Sequence, residues 1–176
     1  MSKLSREQKY LVLFVLLAVY LSVAESFIPK PFPWIKIGLS NIVTIVALKK
    51  FGASMAKKVV ILRILIQSIA LGTLFSVGFI ISICAGIVGV MVLTNLYKLH
   101  LFSTVAISSI SAFCHNLTQM IVVYFLLFRN IPLWSKSIFL FSIIFLGLGI
   151  ISGVITGIIA EKIYIRHSSI NSLKAR

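Results

Sequence analysis

The sequence predicts an all-α integral membrane protein of about six transmembrane helices, and three observations predict it. Of the 176 residues, 60% are hydrophobic and only 11% charged, against roughly 25% charged in an ordinary soluble domain. Mean hydropathy is +1.12, and long apolar runs recur from Leu11 to Ile159. The charges that remain gather in short clusters between those runs, too few to coat a soluble core. A soluble globular enzyme is excluded.

A helix needs about 20 mostly apolar residues to cross a ~30 Å hydrocarbon core. The first candidate span, Tyr10 to Ile28, meets that length. Lys3, Arg6 and Lys9 ahead of it and Ser22-Val23-Ala24 near its end also fit a cleaved signal peptide, but an apolar stretch long enough to span favours retention. The second, Ile37 to Leu48, covers only about 18 Å at 1.5 Å per residue. Either it continues through Lys49 to Phe51, or the Pro29-Lys30-Pro31-Phe32-Pro33 segment re-enters the bilayer beside it. Alternate prolines forbid a regular helix, and irregular backbone is tolerated in a membrane only where protein or water satisfies it. A Pro-rich first outer loop capping a cavity is therefore expected. Lys58 to Phe75, Phe79 to Tyr97, Leu101 to Phe128 and Ser137 to Glu161 complete the set.

Loop charges orient the chain. Twelve of the 17 basic residues fall in the segments that are inner if the N-terminus is inside, four (Lys30, Lys36, Arg129, Lys136) in the outer ones, and Arg63 within the third span. That bias places both termini in the cytoplasm of a multi-pass protein of the plasma or inner membrane. The net charge of +14 reads as loop charge facing an anionic leaflet, not as a nucleic-acid footprint. Cys84 and Cys114 lie inside apolar runs, so no metal or disulfide framework is expected. With no low-complexity tract or repeat, residues 1–176 read as one transmembrane domain with short basic tails at about 1–9 and 162–176.

Small residues mark packing faces. Gly149, Gly153 and Gly157 in the last span and Ala18, Ser22 and Ser26 in the first recur every four residues, which places each set on one stripe where another backbone can approach. The fourth span offers Ser82/Gly86 and Ala85/Gly89. The glycine stripe is a helix-packing face, internal or intermolecular; the Ala18 stripe is either internal packing or the docking face for a partner membrane protein.

Polar side chains within spans are costly and usually face the bundle interior or a cavity. Candidates for such a site are Glu25, Lys36, Asn41, Arg63, Gln67, His115, Asn116 and Gln119. By depth, Gln67, His115 and Asn116 sit near mid-membrane, while Glu25, Lys36, Asn41 and Gln119 lie in the outer half below the Pro-rich segment, so the cavity is expected to open outward. Arg63, counted as about 8 Å from the inner edge, is expected not to meet Glu25, and snorkelling to the inner headgroups is its bland alternative. Lys36 has an equally bland reading as an interfacial anchor. Trp34, Trp134, Tyr10, Tyr97 and Tyr164 are placed in the aromatic belts.

Glu25-Ser26-Phe27-Ile28-Pro29, Pro31, Pro33, Lys36-Ile37-Gly38-Leu39-Ser40-Asn41, Arg63, the Phe79 to Met91 stretch and His115-Asn116-Leu117-Thr118-Gln119 together resemble the Gx transporter family, also labelled heptaprenyl diphosphate synthase component I. Ser40 and Ala112 depart from that pattern, which has Ala and Gly there. Size, span number and the proline-rich loop also resemble the substrate-binding S components of energy-coupling-factor transporters, whose first-span stripe meets a transmembrane coupling protein.

The two family labels imply different functions. Prenyl transfer needs magnesium held by clustered carboxylates, yet the chain has no Asp and only Glu7, Glu25 and Glu161; neither an Asp-rich prenyltransferase motif nor a nucleotide-binding loop is present. No enzyme and no cofactor are expected. The primary expectation is a membrane protein that binds or transports a small, anionic or otherwise polar molecule, with a coupling protein and its ATPases as partners. The alternative is a non-catalytic membrane subunit for heptaprenyl diphosphate and menaquinone synthesis or membrane electron transfer, with a soluble prenyltransferase as partner and a lateral, apolar-lined opening.

Overall fold

Serine side chains start three of the helices. In the computed structural model, which describes residues 5–28, 38–129 and 136–174, Ser5 Oγ accepts from Gln8 N while Gln8 Oε1 accepts from Ser5 N, a reciprocal capping box that satisfies two orphan donors. Ser76 and Ser103 cap the fourth and fifth helices through Phe79 N and Ala106 N. The order is α1 (Arg6–Ser26), α2 (Leu39–Phe51), α3 (Ala53–Ala70), α4 (Val77–Lys98), α5 (Thr104–Leu127) and α6 (Lys136–Lys174). No strand occurs among the described residues. The Pro-rich segment, Trp34, Lys36 and Trp134 lie outside the described residues.

Six helices are found where six spans are expected, but their lengths differ from the expectation. Four, in α1, α4, α5 and α6, are long and apolar enough to cross a membrane. The helix α2 does continue through Lys49 to Phe51, yet its 13 residues reach only about 20 Å. Lys57, Lys58 and Arg63 make α3 too charged to qualify by composition. Gly52, at φ 83°, joins α2 to α3 by itself, a left-handed corner open to glycine without Cβ strain. That corner starts α3 five residues earlier than the sequence reading has it. At the other end, α6 runs on to Lys174, so the residues from 162 continue a helix about 58 Å long.

The shortest helix is the centre of the bundle. One side of α2 (Ile42, Ile45, Leu48) packs with Val60 and Ile64 of α3, Val90 and Leu93 of α4, Ile107 of α5 and Ala160 of α6. Another side (Val43, Ala47) packs with Phe14, Val15 and Ala18 of α1 and with Met55 and Val59 of α3. Leu13, Leu16 and Tyr20 of α1 and Phe139, Leu140, Ile143 and Ile151 of α6 are exposed, as suits a surface solvated by lipid. Since lipid tails are as apolar as leucine, close packing and interhelical hydrogen bonds must hold such helices together.

The small-residue stripes show that packing. A Cβ on Gly153 would lie 2.6 Å from Ser109 Cα, and one on Gly157 2.8 Å from Val105 Cα, while one on Gly149 would strike the Asn116 amide. The stripe thus faces α5, inside the chain. The Ala18 stripe is also turned inward: Ala18 is wholly buried against α2 and α3, and Ser22 is buried too. Of that trio only Ser26 is exposed, its Oγ donating to Val23 O.

Candidate functional site: a polar seam and two cavities

A helix that starts below the membrane surface must find acceptors for its first N–H groups within the protein. Counted from Phe51, α2 begins about 18 Å up a ~30 Å hydrocarbon core. Glu25 of α1 provides those acceptors. Its carboxylate accepts from Gly38 N at 3.2 Å with each oxygen, and from Leu39 N at 3.2 Å. Gly38 adopts φ 87° to present its N–H, and the negative charge sits at the positive end of the helix dipole.

Arg63 reaches the same helix start, donating from Nη1 to Ser40 Oγ. Glu25 and Arg63 are both buried, at 3% exposure, and the two charges act on each other electrostatically. This overturns the expectation that they lie too far apart in depth. With α3 beginning at Ala53, Arg63 stands about 15 Å along its helix, and its guanidinium turns to Ser40 of α2 instead of snorkelling to the start of its own helix. Ser40, a departure from the family pattern at sequence level, is the residue that receives it.

The fifth helix carries the rest of the seam. His115 Nδ1 lies 2.9 Å from Ala85 O, its ring against Gly89, and Ser111 Oγ donates to Gly89 O. On the opposite side, Asn116 Nδ2 donates to Phe145 O at 3.1 Å, beside Gly149. Between helices α5 and α6, Ser108 and Thr156 hydroxyls meet at 3.1 Å. These polar residues join helices where the hydrophobic effect cannot. Asn116→Ala is accordingly expected to lower stability by ~1–2 kcal/mol, by losing a buried hydrogen bond between α5 and α6; unfolding in mixed micelles measures it.

The seven expected site residues that the structure describes do not converge on one pocket. Asn41, Arg63 and His115 surround two small voids of 30 and 20 Å³, the smaller also touching Asn116, room for a water and not for a metabolite. Gln119 is wholly buried, with neither amide atom partnered among the described residues. Glu25 and Gln67 instead line a larger cavity of 630 Å³ between α1, α3 and α4, with Ser22, Ser68, Thr73 and Ser82. There Ser22 Oγ donates to Gln67 Oε1 at 2.6 Å. Lys36, expected to bring positive charge, lies outside the described residues. No cluster of three or more His, Cys, Asp or Glu that could hold a metal occurs among the described residues.

A second large cavity, 580 Å³, lies between α1, α2 and α6. It is apolar apart from Tyr10, Lys49, Lys50 and Tyr164 at its Lys-rich end. Sequence reasoning assigned these four residues to the positive-inside bias and the aromatic belt. The one signal that sets them apart is a Lys-Lys pair near the end of a helix too short to span.

The family model described as heptaprenyl diphosphate synthase component I matches residues 14–163, from the first helix to the last. The chain belongs to the heptaprenyl diphosphate synthase component I family. Neither a curated protein nor a solved structure matches it. In this family member the matched stretch takes in Glu25, Arg63, the polar seam of α5, the whole lining of the 630 Å³ cavity and all of the 580 Å³ cavity's lining but Tyr10, Leu13 and Tyr164.

Proposed function

We propose that the protein is a non-enzymatic, membrane-embedded binding protein that takes up a small polar molecule from the outer side, in the manner of an S component. The observation that carries this reading is the 630 Å³ cavity between α1, α3 and α4, edged by Glu25, Gln67, Ser22, Ser68 and Thr73 with Phe79 and Ile64 as its apolar wall. Its size lies within the ~300–1,000 Å³ of small-molecule sites, where a few polar groups fix orientation and apolar walls supply contact. The donor and acceptor set is acceptor-rich, with Glu25 its one charged member among the lining residues. A ligand bearing hydrogen-bond donors or a positive group fits it better than the anion favoured by sequence.

The test is native mass spectrometry of the gently purified protein with identification of any retained small molecule. Gln67→Ala removes the amide at the centre of the cavity edge and is expected to weaken retention about tenfold or more. Asn116→Ala is expected to leave retention in place despite its cost in stability. Retention unchanged by Gln67→Ala would count against the cavity as the site.

A second reading follows from the family description, which names a component of a synthase. With no Asp in the chain, a non-catalytic membrane subunit handling an isoprenoid for a soluble partner is the role left to it. The apolar cavity open between α1 and α6 is the lateral opening such a role requires. An isoprenoid retained in the same experiment, with no polar ligand, would favour this second reading over the first.

A further inference from the structure

The flanks of the apolar cavity face the bilayer. Leu13 and Leu17 on the α1 side and Ile159 and Ile163 on the α6 side are all exposed, so the cavity is a groove that opens sideways and fills from the membrane. Its floor is α2, on which α1 and α6 both pack while scarcely touching each other. Left empty, its apolar walls would forfeit dispersion attraction for want of contact atoms. The α1 wall runs from Tyr10 to Leu21, about 16 Å along a helix axis. That is close to the hydrocarbon depth of one leaflet, half of a ~30 Å core, and suits one extended acyl chain.

One end of the groove is cationic. Lys49 and Lys50 both line it, with no acidic residue among the described residues of the lining. Each ammonium is held by its neighbours. Lys49 Nζ donates to Thr104 Oγ1 of α5 at 2.8 Å and stands 4.8 Å from the ring centre of Tyr164 on α6. Lys50 Nζ stands 4.9 Å from the ring centre of Tyr10 on α1 and 5.6 Å from that of Phe51. The rings fix two positive charges side by side at the end of an apolar slot, where a chain lying in it would meet its headgroup. The helix dipole at the end of α2 favours positive charge there, but it does not account for the slot.

We propose that this groove is the seat of one anionic phospholipid, with one acyl chain laid between α1 and α6, the phosphate on the Lys49 and Lys50 ammonium groups, and the second chain left in the bilayer outside. Charge complementarity decides the headgroup. Phosphatidylcholine would bring a quaternary ammonium to an end that already holds two cations, whereas phosphatidylglycerol brings a net negative charge, and basic pockets between transmembrane helices take such headgroups. The loop charges of the sequence assign this end to the cytoplasmic leaflet, the anionic one. A lipid seated there supplies the contact between α1 and α6 that the helices themselves scarcely make. The seat goes beyond the polar-ligand reading, which concerns the other cavity, and it competes with the second reading for the same space.

The experiment titrates dioleoyl phosphatidylglycerol, and separately dioleoyl phosphatidylcholine, into the full chain delipidated in detergent, read by native mass spectrometry and by thermal unfolding. One phosphatidylglycerol is expected to bind ahead of all others and about tenfold or more tighter than phosphatidylcholine, raising the unfolding temperature as it does so. Lys49→Gln and Lys50→Gln should each weaken that first binding about fivefold, the effect of one lysine at an anionic surface. Lys57→Gln and Lys58→Gln, equal in charge removed but outside the lining, should leave it unchanged. Leu17→Trp, which fills the groove without touching the lysines, should abolish it and keeps the test open if a lysine variant does not fold.

Equal binding of the two lipids overturns the proposal, as does an equal loss from the Lys57 and Lys58 substitutions, which would mean general attraction to a basic surface. Binding that survives Leu17→Trp overturns the groove as its place. Farnesol bound one-to-one more tightly than phosphatidylglycerol, and lost in Leu17→Trp, overturns the phospholipid in favour of the second reading's occupant. The polar-ligand reading stands or falls separately, on Gln67→Ala.

Discussion

Glu25→Ala is expected to cost ~3–5 kcal/mol of stability, the loss incurred when one member of a buried charge pair is removed. Two effects add. The Gly38 and Leu39 N–H groups lose their acceptors at a helix start that lies within the membrane, and Arg63, 3% exposed, loses the negative charge acting on it. The second effect is separable. In an Arg63→Met background the Glu25 substitution should cost less, because no buried cation remains to be left uncompensated, and a double-mutant cycle of unfolding in mixed micelles reads the difference. Equal cost in both backgrounds would show that Glu25 acts on α2 alone. Glu25→Gln should be milder than Ala, since its amide oxygen still accepts from the helix start.

Gly153→Val is expected to be nearly as damaging, at ~3 kcal/mol, toward the upper end of what overpacking costs. The added Cβ would lie 2.6 Å from Ser109 Cα and 3.0 Å from Ser108 O. These are backbone atoms, so no rotamer change relieves the clash and α5 must move away from α6. Separation of that pair would also break the Ser108–Thr156 and Asn116–Phe145 hydrogen bonds. Gly147 is the control. A Cβ there meets nothing within 4 Å, so Gly147→Val should change stability by no more than ~0.5 kcal/mol. Comparable losses at the two positions would mean that general helix effects, not the α5 contact, set the cost.

The cavities divide the polar residues by task. Asn116 and His115 spend their polar atoms on Phe145 O and Ala85 O, holding helices together. Glu25 does both, bonding α2 through its oxygens and lining the 630 Å³ cavity between α1, α3 and α4. A ligand there would sit against a carboxylate already held by two backbone donors, so binding and the seating of α2 are linked through one residue.

Composition and the spacing of apolar runs determined the membrane class and the six-helix count, because the bilayer imposes length and hydropathy on each crossing separately and those are local properties of the chain. The four-residue glycine spacing of α6 likewise announced a packing face. What no local property contains is which face meets which. That the Gly149 stripe meets α5, and that Ala18 packs on α2 and α3, turned on the rotation of each helix. The single-glycine corner at Gly52 moved Arg63 five residues deeper than its apolar run suggested and brought it to Ser40, beside the end of α2 that Glu25 caps. The groove over Lys49 and Lys50 arose only because α1 and α6 flank a helix too short to close the gap. Sequence specified the pieces, since each helix answers to the membrane on its own; the tertiary structure decided the sites, since a cavity is what several helices leave unfilled between them.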